Sequence, residues 1–286
     1  MRGRQIRFAT ASALVGGAVG LVGAGAVMLS GDISGIHAAE FQPMKLAAAE
    51  GLKEGGERAP FSIVPGVEIP AMLSILATHD VDGYVPGINN ILDGYTTPDG
   101  EYHLSAEEKI ERGRVAIESF ATYRTLKDSD PEAAAAARKT LDENMEYFGY
   151  GYIGSKEELV PPVTLVYWAF RVMVGLGGAL LLLMGVVLWA NYKKRLASMT
   201  WLQWAALLSI PLVYIAGQAG WIVAEVGRQP WVIEGLLPVK AAVSSVSVAA
   251  VQTTFFIFVA IFTLFLAIEL RILMKAIKKG PEIDNN

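Results

Sequence analysis

The sequence predicts an all-α membrane protein: four transmembrane helices, with a large and mostly helical extracytoplasmic loop after the first. Three observations carry that expectation. The 286 residues are 53% hydrophobic and only 18% charged, too apolar for an ordinary soluble domain of this length. Four segments, near 10–30, 163–190, 202–226 and 247–270, hold the roughly 20 apolar residues that a membrane helix needs. Basic side chains flank them in three clusters: Arg2, Arg4 and Arg7; Lys193, Lys194 and Arg195; and Arg271, Lys275, Lys278 and Lys279. Four spans put all three clusters on one side, and lysine and arginine near the ends of spans stay cytoplasmic, so both termini are expected there.

Residues 1–30 form the first span with its basic cytoplasmic start. A basic start, an apolar run and the stretch IHAAE also suit a cleaved signal peptide. Against that, the run exceeds the roughly 7–15 apolar residues of such a segment, and His37 or Ile36 is a poor residue three before a cut. Residues 31–160 then lie outside the cytoplasm. They hold 23 acidic and 11 basic side chains, so the acidity of the chain is concentrated there and nucleic acid is excluded as a partner. A loop of that length points to function. Its first half, with TTPDGEY and several prolines, reads as turns. Its second half reads as a helical hairpin: Ser105 and Glu108 form a capping-box pattern, and Asp130–Pro131 supplies a cap and first helical residue. Residues 161–273 carry the other three spans, with Trp189, Tyr192, Trp201 and Trp204 as an interfacial belt around the middle basic cluster. Residues 274–286 form a cytoplasmic tail. With no cysteine in the chain, disulfides, thiolate metal sites and cysteine nucleophiles are all excluded, and redox chemistry requires a bound cofactor.

The spans contain charges that a plain membrane helix would lack. Arg171 lies about 8 residues into the second span, roughly 12 Å at 1.5 Å per residue, and Glu225 ends the third. Both belong to one leaflet, together with Met173, Trp221 and, just beyond, Arg228. Ionisable groups at that depth are costly and point to a functional site. The plainer alternative is a structural ion pair between Arg171 and Glu225, or an arginine that snorkels outward. A haem accounts for more of the set, because propionates want arginines and an axial iron site takes methionine or a carboxylate.

The stretch GWIVAEVGRQPW, 220–231, resembles the signature near the end of the large subunit (subunit I) of cytochrome bd quinol oxidase. Further blocks resemble it in the same order: GDISG, MKLAAAE at 44–50, IPAMLSILATHDVDGYVPGI at 69–88, FGYGYI at 148–153, YWAFRVMVG at 167–175 and LFLAIEL at 264–270. The resemblance implies that 31–160 is the quinol-binding loop, with Lys45 as hydrogen-bond donor and Glu50 as proton acceptor during quinol oxidation. Five residues apart on a helix they stand about 140° from each other, so each is free to meet a different partner. It further implies Met173 as axial ligand of a low-spin haem b. Glu225 becomes ligand or close partner of a high-spin haem b beside haem d, Arg171 and Arg228 hold propionates, and Trp221 lies on the electron path. Electrons would run from quinol to oxygen, with quinol protons released outside and protons for water drawn from the cytoplasm of a bacterial inner membrane.

The chain departs from that family in two ways. It has fewer spans, and its only histidines, His37, His79 and His103, all fall in the outer loop. The chain is therefore expected to be the C-terminal portion of such a subunit, inactive alone. Its expected partners are the missing N-terminal portion, the second large subunit and small accessory subunits. The alternative is a non-enzymatic four-helix membrane protein whose outer domain binds a partner.

Overall fold

The computed structural model describes residues 35–279; the expected first span, 10–30, lies outside the described residues. Helix α1, residues 35–41, leads into α2, Pro43–Glu50, whose proline occupies the first turn and whose end is closed by Gly51. Gly51 has φ +65°, and its N–H donates to the carbonyls of Ala47 and Ala48. A side chain there would be strained and would stand 3.1 Å from the ring of Tyr167.

The segment expected to be turns is more ordered than that. It contains a hairpin, β1 (Phe61–Val64) with β2 (Val67–Ile69), and two short helices, α3 (Met72–Thr78) and α4 (Ile88–Asp93). A second small hairpin pairs β3 (Tyr95–Thr96) with β4 (Tyr102–His103). Proline and glycine marked the chain reversals correctly, but elements of two to seven residues are too short to show a period.

The helical hairpin forms as expected. In α5, Ala106–Leu126, Ser105 and Glu108 make the reciprocal capping box; in α6, Pro131–Asn144, the Asp130 side chain accepts from the N–H of Ala133. A 3-10 segment, Met145–Tyr152, then packs tightly on α5. A Cβ on Gly113 would lie 2.3 Å from the backbone nitrogen of Gly151, so only glycine permits that approach.

Helix α7 spans Val163–Tyr192 and α8 spans Thr200–Val226, joined through 193–199. Both are long and apolar enough to cross a membrane. Leu181, Leu182 and Tyr214 are among the apolar side chains they leave exposed, as helices facing lipid require. At one end of the pair, α2 lies across α7. Ala48, Ala49, Val166, Ala169 and Val223 form the buried cluster there, and the small alanines allow the close approach. After α8 comes a hairpin of β5 (Trp231–Ile233) and β6 (Leu237–Pro238), which completes the first compact unit of the chain. The second unit begins at Val243 and contains α9, Val248–Lys279, the third helix able to cross a membrane.

Candidate functional site

The Ala-rich face that seats α2 on α7 brings Glu50 to Arg171, a pairing across 121 residues of sequence. Arg171 Nη2 donates to Glu50 Oε2 at 2.7 Å, and both side chains are buried. The guanidinium also donates to the carbonyls of Ala49 and Ser62. Three rings surround it: Tyr167, with its centroid 4.1 Å away, Phe170 and Phe61. The Ser62 N–H donates to Glu50 Oε2 at 3.0 Å, and the Ser62 hydroxyl is hydrogen-bonded to the Tyr167 hydroxyl. The alternative pairing considered from sequence, Arg171 with Glu225, does not occur. Glu225 is taken by Arg228, 2.5 Å away and one turn on, in a partly exposed pair.

Burial raises the Glu50 carboxyl above its ordinary range, against the opposing hydrogen bonds and charge of Arg171. Lys45 faces elsewhere, as its 140° offset from Glu50 requires. Its ammonium donates to Gln42 Oε1 at 3.0 Å, and its stem lies 3.1 Å from where a Cβ on Gly227 would stand. That Cβ would also meet the Val223 carbonyl at 2.4 Å. The glycine of GRQPW is thus the residue that lets Lys45 pass over the end of α8. Burial and then the Arg228 charge lower the Lys45 pKa, while Glu225 and Glu234 oppose.

Met173 lies two residues deeper than Arg171 on α7. Its sulfur stands 3.1 Å from the Cβ position of Gly220, so the thioether is held at the α7–α8 contact, next to the residue preceding Trp221. Trp221 itself is exposed. Lys45, Glu225 and Arg228 therefore gather at the end of α8. Glu50 of α2 and Arg171 of α7 form a second, drier group, and Met173 lies two residues deeper along α7. His37, His79 and His103 all sit outside α7, α8 and α9, and no group of three metal-binding side chains occurs among the described residues.

Sequence reasoning missed four participants. Ser62 and Tyr167 complete the Glu50–Arg171 box, and neither carries a local signal. Glu234 and Lys109 line a cavity of about 640 Å³ beside α2. Burial pushes the Glu234 carboxyl up to about 7, with Lys109, Lys45 and Arg228 opposing, and burial lowers Lys109. An isolated acid in the apolar stretch WVIEGLLP was the available signal for Glu234.

A helical membrane protein with a buried carboxylate–arginine pair at the foot of a polar domain defines the class. Comparison with known proteins narrows it. Residues 1–281 match the family described as cytochrome bd terminal oxidase subunit I, and the chain belongs to that family. It is 32% identical to cytochrome bd-II ubiquinol oxidase subunit 1 of Escherichia coli (strain K12), over 98% of this chain and 57% of that protein. It is 30% identical to cytochrome bd ubiquinol oxidase subunit 1 of Bacillus subtilis (strain 168), over 94% of this chain and 48% of that one. The chain thus spans about half the length of the curated relatives it matches. The bd oxidase structure from Geobacillus thermodenitrificans shares the fold, with a TM-score of 0.53 at 24% identity, covering 89% of this chain and 46% of the other.

Proposed function

We propose that this chain supplies the quinol-oxidising part of a cytochrome bd-type subunit I, with the described polar domain on the outer face of the membrane. The observation that carries the reading is the buried Glu50–Arg171 pair, two residues from Met173. A quinol gives up two protons with its two electrons, so its site needs a proton acceptor and a group that orients its oxygens. Glu50 serves as the acceptor. Its raised pKa favours taking a proton, and the Ser62 N–H and Arg171 hold its oxygens in place before and after. Lys45 donates a hydrogen bond to a quinol oxygen from the other side of α2. Its lowered pKa reflects a poorly solvated ammonium, for which a ligand oxygen is a favourable partner.

The family implies haem, and two features of the chain fit it. Arg171 Nε and Arg228 Nε are buried donors with no partner among the described residues, which suits propionate oxygens. Met173 offers a thioether between α7 and α8, and Glu225 a partly exposed carboxylate. Met173 would hold the low-spin haem b, Glu225 the high-spin haem b, and Trp221 would flank the path to haem d. Bound haem supplies one-electron transfer between quinol and oxygen. Arg171 has a double role in this reading, since the guanidinium that orients Glu50 keeps an unpartnered Nε that would meet a propionate. The N-terminal portion of the subunit, the second large subunit and small accessory subunits are the partners this reading requires.

The test is made on the chain assembled with those partners. Glu50→Gln is expected to lower quinol oxidation by about 100-fold or more, the scale of a lost general base, with the haem spectrum intact. Met173→Ala is expected to remove the low-spin haem absorption. Unchanged turnover in the first variant and an unchanged spectrum in the second would each overturn the corresponding assignment.

A further inference from the structure

Glu234 sits at the turn between β5 and β6, and its backbone is clamped in place. The N–H of Gly149 donates to the carbonyl of Gly235 at 2.9 Å, and Gly235 takes φ +70°. A Cβ on Gly149 would lie 2.4 Å from that same carbonyl, so the 3-10 segment and the hairpin are in direct backbone contact. Trp231 packs edge-on against Tyr150 at 4.8 Å and closes the other side of the hairpin. This arrangement aims Glu234 into the cavity of about 640 Å³, whose wall also carries Lys109, Glu146, Tyr147 and Tyr150. Lys109 lies 5.9 Å from the centre of the Tyr150 ring.

Lys45 does not line that cavity, although its neighbour Met44 does. The Lys45 stem lies against Gly227, and the next residue, Arg228, accepts at its carbonyl from the N–H of Trp231 at 2.9 Å, so the strand that leads to Glu234 starts beside Lys45. Glu234 and Lys109 then share the cavity wall. Among the described residues Glu234 makes no hydrogen bond or ion pair that would hold its charge state, so it is available to exchange a proton.

We propose that Glu234 is the proton-exit group of the site: it takes the proton released beside Lys45 and passes it to water in the cavity. This rests on the quinol reading of Lys45 and Glu50. In the step, the quinol O–H bond nearer Lys45 breaks with its electron pair left on the quinol oxygen, and the quinol is oxidised by separate one-electron transfers to an acceptor that haem would supply in the assembled complex. The proton, carried by intervening water, forms the O–H of the Glu234 carboxylic acid. Cavity water then removes that proton and restores the carboxylate. Lys109, Lys45 and Arg228 favour the ionised form, whereas Glu146 faces Lys109 from the 3-10 segment, and Tyr150 stays a neutral phenol because burial raises its pKa.

The acceptor must be ionised to work, so quinol oxidation by the assembled complex should rise as pH passes upward through about 7. In Glu234→Gln that limb is expected to disappear, with turnover above it falling about tenfold, a fraction of what a direct general base contributes. Infrared difference spectra give a readout independent of turnover: a carboxylic C=O band that titrates with this limb and is lost in Glu234→Gln. Should that variant fail to assemble, Glu234→Asp keeps a carboxylate on a shorter stem and is expected to shift the limb and the band together. An unshifted limb or an unmoved band overturns the proposal. The quinol reading is tested separately: if Glu50→Gln and Lys45→Ala lose turnover while Glu234→Gln keeps the original profile and band, only the exit role is wrong.

Discussion

Glu50 and Arg171 show what a single pair can decide. Both are nearly excluded from solvent, so removing one partner leaves the other charge uncompensated in a dry site. Arg171→Met should destabilise the assembled protein by about 3–5 kcal/mol, and adding Glu50→Gln should recover part of that loss, as measured by a double-mutant cycle on thermal unfolding. If Arg171→Met unfolds like the unmodified protein, the pair does not hold α2 on α7. Glu234 has no such ion-pair partner among the described residues. Its carboxyl is raised in the fold relative to an unfolded chain, so the folded state binds the proton more strongly. The stabilisation this gives is complete below the ordinary carboxylate range and is lost as pH rises through about 7. Glu234→Gln should therefore show a smaller loss of thermal stability between pH 5 and pH 8 than the unmodified chain. Arg171, Glu225 and Arg228 were legible because charge in or beside an apolar segment is rare, whereas Lys45, Glu50, Met173 and Trp221 were nominated through the family resemblance. Their partners were not legible, because Ser62 and Tyr167 are ordinary residues until the chain folds back on itself.

At the scale of elements, the geometry depends on small residues at crossings. Ala48 is fully buried between α2 and the end of the α7–α8 pair. Ala48→Leu should cost about 1–3 kcal/mol through overpacking and lift Glu50 away from Arg171, so turnover falls along with stability. Gly227→Ala sets a Cβ against both the Val223 carbonyl and the Lys45 stem. It is expected to lower quinol affinity, read as a raised KM, while the absorption of the low-spin haem stays unchanged. Cap and first-turn signals located α5 and α6 correctly because those rules act within four residues. The first hairpin and the short helices of 61–93 escaped the same reading because they pack against α2 and against each other.

At the scale of the whole molecule, the three described apolar helices carry their basic residues between α7 and α8 and at the end of α9. The proposed orientation puts those ends in the cytoplasm and the acidic domain outside. The chain has no cysteine, so single introduced thiols report on it directly. Glu143→Cys, exposed on α6, should react with an impermeant maleimide in intact cells, and Lys193→Cys only after permeabilisation. The reverse pattern would remove the outer quinol site. The three described membrane-length helices, their approximate limits and the capped helical hairpin before them were legible in the sequence itself, because hydropathy, length and local capping are properties of contiguous residues. Which carboxylate meets which cation, and that Glu234 and Lys109 share a cavity, was decided only by the tertiary structure. Those relations join residues far apart in the chain, and their energies depend on burial that no local segment possesses alone.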